Sequence, residues 1–251
     1  MRYNGDSGNV APSAFSSSRD LDGISEVAGV TNLWTFRIVA FAICIAMGTI
    51  SVINLAGELM RPPPSAFPDG SISIPSPSEI DQARRAARIA PDRSDLRSNV
   101  ALALAAEALH GPAGYRSDLN QQAQMAAREA LGGAPLDSGV WLVLARLQAQ
   151  VALRDPRIAE TLKLSYFTGP NLRNLVSTRL ATVVSSDGLN DPDLKELARG
   201  DVRLVLINHP DLKPGLVAAY RGAGPAGKQF LEESIKSIDP KFITSLPGGL
   251  R

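Results

Sequence analysis

From Ile38 to Gly57 the chain runs for twenty residues without a charge. As a helix rising about 1.5 Å per residue, such a run spans about 30 Å, the thickness of a bilayer's hydrocarbon core. Around it the pattern changes twice. Residues 1–33 are rich in Ser, Gly, Asn and Asp and poor in large apolar groups, so they cannot bury enough surface to offset ordering entropy and read as a disordered head. From Glu79 onward apolar positions recur at helical spacing, with alanine prominent among them. The pattern predicts helices over 79–90, 95–109, 118–131, 138–153, 157–167, 171–185, 191–207, 211–221 and 226–237. Ser78 is the expected N-cap of the first, and Pro91, Gly111-Pro112, Gly132-Gly133 and Asp155-Pro156 punctuate the early ones. Val202 to Ile207 is the one run that would suit a strand, and its flanks favour helix. The expected fold is all-α: one transmembrane helix over 34–60, a linker over 61–78, and a helical domain over 79–251.

The ends of the apolar run bear on its fate. Trp34 and Arg37 just before it suit a membrane boundary, since Trp favours the headgroup level and Arg can snorkel outward. A secretory signal would have a shorter apolar core nearer the start and an A-x-A-like site after it. Both are missing here, so the run reads as an uncleaved anchor that puts residues 38–57 in a lipid bilayer. Arg19 and Arg37 precede it and Arg61 follows, and this one-charge bias places the N-terminus in the cytoplasm. The stretch from Arg61 to Pro77 holds six prolines, a semi-rigid spacer that would hold a domain away from a membrane. The expected location is an inner membrane, with the helical domain in the periplasm. Within the run, Ala40, Cys44 and Gly48 recur every fourth residue. This small-xxx-small face would let two helices approach and form a homo-oligomer.

Composition narrows the functions. Lys and Arg number 26 against 25 Asp and Glu, for a net charge of +1. Residues 1–37 hold three basic and four acidic residues, leaving 23 against 21. That balance, without interleaved aromatics, argues against nucleic acid as a partner. The single cysteine, Cys44, excludes a disulfide framework or a thiolate metal site within one chain.

Candidate chemistry is thin. Gly5 to Gly8 resembles the nucleophile segment of chymotrypsin-like proteases, but the only histidines, His110 and His209, lie far downstream at expected helix ends. Gly222 to Gln229 approaches the phosphate-loop pattern G-x4-G-K-[ST]. Gln229 stands where the magnesium-binding hydroxyl belongs, and only 22 residues follow it, so a helix–helix turn is the expectation. Arg84, Arg85, Arg88, Arg93 and Arg97 cluster among Asp81, Asp92 and Asp95 and read as a solvated face. No catalytic group, cofactor or metal is expected.

A repeat remains. Ala123, Ala127, Ala130, Pro135, Trp141, Leu144 and Ala145 place small residues along one helix, a proline at the turn, and W-x2-L-A at the start of the next. This resembles the tetratricopeptide repeat, where small side chains let antiparallel helices approach closely and Trp and Leu fill the space between hairpins. Ala83, Ala86, Pro91 and Val100-Ala101 fit the frame upstream; Asn171 and Leu180-Ala181 fit it downstream, so that the resemblance covers 83–185. The departures are plain. The turns at 91 and 135 lie 44 residues apart, against the family's 34, which puts an insertion at His110 to Leu119. Arg97 and Ser177 replace the aromatic, and Asn171 the turn proline. The resemblance implies a TPR-like α-hairpin array, Trp141 buried between hairpins, and a groove binding a protein partner through Asp95, Ser98 and Leu102, then Gly139, Leu142 and Arg146, then Leu175, Thr178 and Thr182. By analogy it implies a scaffold or adaptor in envelope assembly or polysaccharide export. A non-repetitive bundle, an enzyme with an unrecognised helical site acting on envelope glycan, and an oligomer formed through the span alone are the competing readings.

Overall fold

A computed structural model describes residues 22–61, 75–110 and 116–247, without the side chains of 22–32 and 116. The protease-like tetrapeptide in the head, most of the Pro-rich spacer and part of the insertion at 110–119 lie outside the described residues. Among those described, every regular element is helical: α1 Asp22–Leu59, α2 Pro77–Ile89, α3 Ser94–His110, α4 Arg116–Gly133, α5 Ser138–Val151, α6 Arg157–Thr168, α7 Arg173–Ser185, α8 Pro192–Arg203, α9 Lys213–Gly222 and α10 Pro225–Ile238. The chain divides into two compact units, Met1–Val52 and Ile53–Arg251.

In the first unit, α1 starts at Asp22, so the end of the stretch read as head is helical. Every large apolar side chain from Leu33 to Val52 is exposed. A helix apolar on all sides has no face for water, and Leu33–Leu59 is long and apolar enough to cross a membrane. Its hydroxyls are satisfied internally, Thr49 Oγ1 donating to the Ile45 carbonyl at 2.9 Å and Ser51 Oγ to that of Met47 at 2.8 Å. In hydrocarbon such back-bonding leaves no polar group unpaired. Cys44 is exposed, and Gly48 has open space where a Cβ would stand.

The second unit is a helical array. Consecutive helices from α2 to α6 pack side by side, with α3 against α4 and α5 against α6 most extensively. Their inner faces are alanine-rich: Ala103, Ala105, Ala108 and Ala123 around Leu104 and Leu147, then Ala101, Ala127 and Ala130 around Leu144. Beyond α7 the order changes, with α7 against α9 and α8 against both α6 and α10. Larger side chains, among them Leu162, Leu180, Leu194, Leu216, Phe230 and Leu231, fill that core.

Local chemistry sets the helix ends. The cap of α2 is Ser76 rather than Ser78, because Ser76 closes a capping box with Glu79: the Glu79 amide donates to Ser76 Oγ, and the Ser76 amide to Glu79 Oε2 at 2.6 Å. Asp137 caps α5, its Oδ1 accepting from the Gly139 and Val140 amides at 3.1 Å. Asp191 caps α8 and is held by Lys163 at 2.7 Å. Val202 to Ile207 is helical; α8 widens into a π-turn over Leu204–Asn208, closed by the His209 amide on the Leu204 carbonyl at 2.9 Å and ended by Pro210.

Trp141 is only half buried. It packs against a cluster that includes Ala127 and Ala130, two of the three alanines that the repeat frame named on α4. Its indole Nε1 reaches out to the Pro135 carbonyl at 2.8 Å. A buried indole needs a partner for its N–H, and here the loop carbonyl draws one edge of the ring to the surface.

Candidate functional site

Arg146 on α5 and Thr178 and Thr182 on α7 line one open groove of about 540 Å3, with Ser177, Ser185 and Gly215 on its walls. Small residues shape it. A Cβ at Gly215 would lie 2.3 Å from Ser177 Oγ and 2.8 Å from Ser177 Cβ, so glycine is what lets α9 come this close to α7. Thr178 and Thr182 are themselves buried, and Thr182 Oγ1 donates to the Thr178 carbonyl at 2.7 Å. Leu153, on the rim, is exposed. Gln150 forms part of the wall and is fixed, donating to the Ala108 carbonyl at 3.0 Å and accepting from Asn120 Nδ2 at 2.6 Å. The groove therefore offers an arginine, the Ser177 and Ser185 hydroxyls and an apolar edge, while Thr178 and Thr182 line it from buried positions.

The other residues of the predicted surface lie elsewhere. Leu142 and Leu175 are fully buried in the core of the second unit. Ser98 is buried, and its hydroxyl donates to Asp137 Oδ2 at 2.7 Å, tying α3 to the cap of α5. Leu102 is half buried against the alanine core, and Gly139 sits in the first turn of α5, its amide spent on Asp137. Asp95 is exposed but paired with Arg93 at 2.6 Å and Arg61 at 3.4 Å. Three of the nine positions thus line one groove, and much of the rest is core or bound up in caps and ion pairs.

A second constellation escapes the sequence reading. Arg179, in the middle of α7, is completely buried. Its guanidinium donates to the Gly169 carbonyl at 2.9 Å and to that of Ser165 at 3.3 Å, stands over the Tyr166 ring at 4.5 Å, and lies 3.7 Å from Asp201 Oδ2. One cation thus collects the orphan carbonyls at the end of α6 and faces the carboxylate of α8. Burial pushes the Asp201 carboxyl up to about 7, against the opposing pull of Arg179 and the Tyr166 phenol. Burial also raises the Tyr166 phenol. Tyr166 and Asp201 border a pocket of about 630 Å3 that Asp193 and Glu196 also line. The signal in the sequence is a lone charge on each of two apolar faces, Arg179 between Val176 and Val183, and Asp201 before Val202.

The raised carboxyl has a consequence for stability. Between the ordinary aspartate value and about 7, the folded chain holds a proton on Asp201 that the unfolded chain has released, so stability falls as pH rises through that window. Asp95, Asp155, Asp191 and Asp211 are held below the usual carboxylate range, each foremost by a bond from Arg93, Arg157, Lys163 and Arg173 respectively. Their contribution is lost only as pH falls through the acid range. Raising pH from 5 to 8 is therefore expected to lower the denaturation midpoint of the full chain, and Asp201→Asn to flatten that slope. A wild-type midpoint constant across this window would show that Asp201 is ionised throughout.

Gly222 to Gln229 forms the end of α9 and the start of α10, with no strand before it. His110 Nδ1 lies 3.3 Å from the Ala106 carbonyl at the end of α3. Among the described residues, no three His, Cys, Asp or Glu side chains gather as a metal site would require. Comparison with known protein families, with curated proteins and with solved structures finds no match.

Proposed function

We propose that this chain is a single-pass membrane adaptor whose TPR-like helical array holds a segment of a protein partner in the groove between α5, α7 and α9. The observation that carries the reading is the convergence of Arg146, Thr178 and Thr182, from two helices, on one open concavity of about 540 Å3. One cation among hydroxyls and an apolar rim suits a peptide, whereas a polyanion would call for several clustered cations. The α3–α4 and α5–α6 pairs, with alanine between them, support the repeat reading. The apolar α1 supports the anchor. The charge bias supports a cytoplasmic head, an inner-membrane span and a periplasmic array, where envelope assembly or polysaccharide export would employ such a part by analogy.

The glycan-enzyme alternative has one observation in its favour, the carboxylates Asp193, Glu196 and Asp201 around one pocket. All three project from α8, and Asp201 faces Arg179, so no opposite wall supplies the second carboxylate of an acid/base pair. The adaptor is the better-supported reading.

Arg146→Glu in the full chain tests it. Arginine is over-represented among residues that dominate interface energy, at about 2 kcal/mol or more. Recovery of the partner from detergent-solubilised membranes is therefore expected to fall at least about tenfold, while the thermal transition stays in place. Unchanged recovery of every co-purifying protein would remove the groove and leave the anchor standing.

A further inference from the structure

The arginines between residues 84 and 97 are not one solvated face. Arg93 is committed to Asp95 at 2.6 Å and Glu58 at 2.7 Å. Arg84, Arg88 and Arg97 instead line a pocket of about 600 Å3 formed by α2, α3 and α4, where Glu129 is the one carboxylate of the lining. Arg97 is pinned by the Pro91 carbonyl. Arg84 reaches Asp81 only at 3.7 Å, and Arg88 has no ion-pair partner among the described residues. The remaining wall is apolar, including Val100, Leu104 and Met125, whose flexible side chain is 54% exposed. The pocket therefore combines an excess of two positive charges with an adaptable apolar side.

Its position gives the ligand class. The edge of the pocket is Pro91, and the preceding Ala90 receives the last turns of α1 (Ile53 to Leu59, which belong to the second unit). A Cβ at Gly57 would lie 3.0 Å from Ala90 Cβ and 3.3 Å from Leu96 Cδ1. Gly57 is also where the apolar run stops; Glu58 and Arg61 follow it and pair with Arg93 and Asp95, so the Pro-rich stretch does not hold the array away from the end of the run, contrary to what the sequence suggests. On the membrane-anchor reading, on which this inference rests, hydrocarbon ends at that level, and the headgroup layer extends about 5–8 Å further. The arginine pocket, which Pro91 lines one residue beyond that contact, then adjoins the phosphodiester layer.

We propose that the pocket formed by Arg84, Arg88 and Arg97 binds the headgroup of an anionic phospholipid, with the glycerol and the start of an acyl chain against Val100, Leu104 and Met125. Planar guanidinium groups match phosphate oxygens in pairs, and the apolar wall has no purpose for a bare phosphate.

The full chain is incorporated into phosphatidylcholine nanodiscs doped with phosphatidylglycerol, and the lipid carried on its release is counted by native mass spectrometry. Phosphatidylglycerol is expected to be enriched over its share in the disc. Enrichment falls about fivefold for Arg88→Gln and again for Arg84→Gln added to it. Arg85→Gln, exposed on the same helix and outside the pocket, leaves it unchanged. An equal fall with Arg85→Gln would reduce the effect to general surface charge and overturn the site, as would no enrichment at all. Displacement of the lipid by an equal concentration of glycerol phosphate would assign the pocket to a free anion, and displacement by a stoichiometric acidic amphipathic peptide would assign it to a protein; either overturns the proposal. A chain that enters no disc would overturn the anchor and the site together. A chain that enters without enrichment overturns the site alone.

Discussion

At pH 8, where Asp201 is ionised, Arg179→Ala is expected to destabilise the helical array by about 3–5 kcal/mol, the usual cost of stripping one partner from a buried ion pair. Three losses coincide at this position. Asp201 keeps its burial and loses its cation; the Gly169 and Ser165 carbonyls lose their donor; and the Tyr166 ring loses the guanidinium stacked on it. Lysine would restore the charge but not the fork that reaches both α6 and α8, so Arg179→Lys should recover little. Changing Asp201 to Asn alongside Arg179→Met removes the orphaned charge, and this double variant should be more stable than Arg179→Ala. The measurement is denaturant unfolding of the full chain in detergent. The chain has two tryptophans, so Trp34→Phe leaves Trp141 as the reporter. A loss under about 1 kcal/mol for Arg179→Ala would mean that the cluster does not hold α6, α7 and α8 together.

That cluster also marks where the sequence stops being readable. Helices α2 to α10 begin and end close to their expected bounds because proline, glycine and aspartate punctuate them: Asp137 before α5, Pro156 before α6, Pro225 at the start of α10. Such signals act over one turn and need no partner from a distant segment. Arg179 and Asp201 lie 22 residues apart on different helices, and nothing local says that they meet. The same limit governs the C-terminal packing. Up to α6 each helix packs on its neighbour in the chain, so order in sequence is order in space. Past α7 that rule fails, since α9 packs on α7 more extensively than its chain neighbour α8 does.

The groove was legible in part for a related reason. The repeat frame names nine positions along one face of successive helices, and three of them, Arg146, Thr178 and Thr182, line one groove. It does not say how far the next helix reaches over that face. The extra helices of the C-terminal half bury Leu142 and Leu175 within one large core. At the other end, Ser98 is close enough to the α5 cap to be used by it. The long apolar helix was legible from composition alone, because twenty uncharged residues require no tertiary information.

Gly227→Ala carries the second large effect, expected at about 3 kcal/mol, the upper end of what overpacking a core usually costs. Gly227 stands in the first turn of α10, and Phe230, Leu231, Ser234 and Ile235 continue its buried stripe at helical spacing. A Cβ there would lie 2.2 Å from the Val184 carbonyl oxygen and 2.9 Å from Val184 Cβ. The obstacle is backbone, so no rotamer change relieves it; α10 must move off α7. The gain in helix propensity from Gly to Ala, about 1 kcal/mol, offsets only part of this. Gly222 and Gly224 belong to the same phosphate-loop-like stretch but have nothing within 4 Å of the added atom. Their alanine variants should therefore be neutral or slightly more stable. If the glycines served instead to cradle a phosphate, ATP or GTP would raise the melting temperature of the wild-type chain, and alanine at Gly222 or Gly224 would abolish that shift. Equal stability of the Gly227 and Gly222 variants would disprove the close approach of α10 to α7.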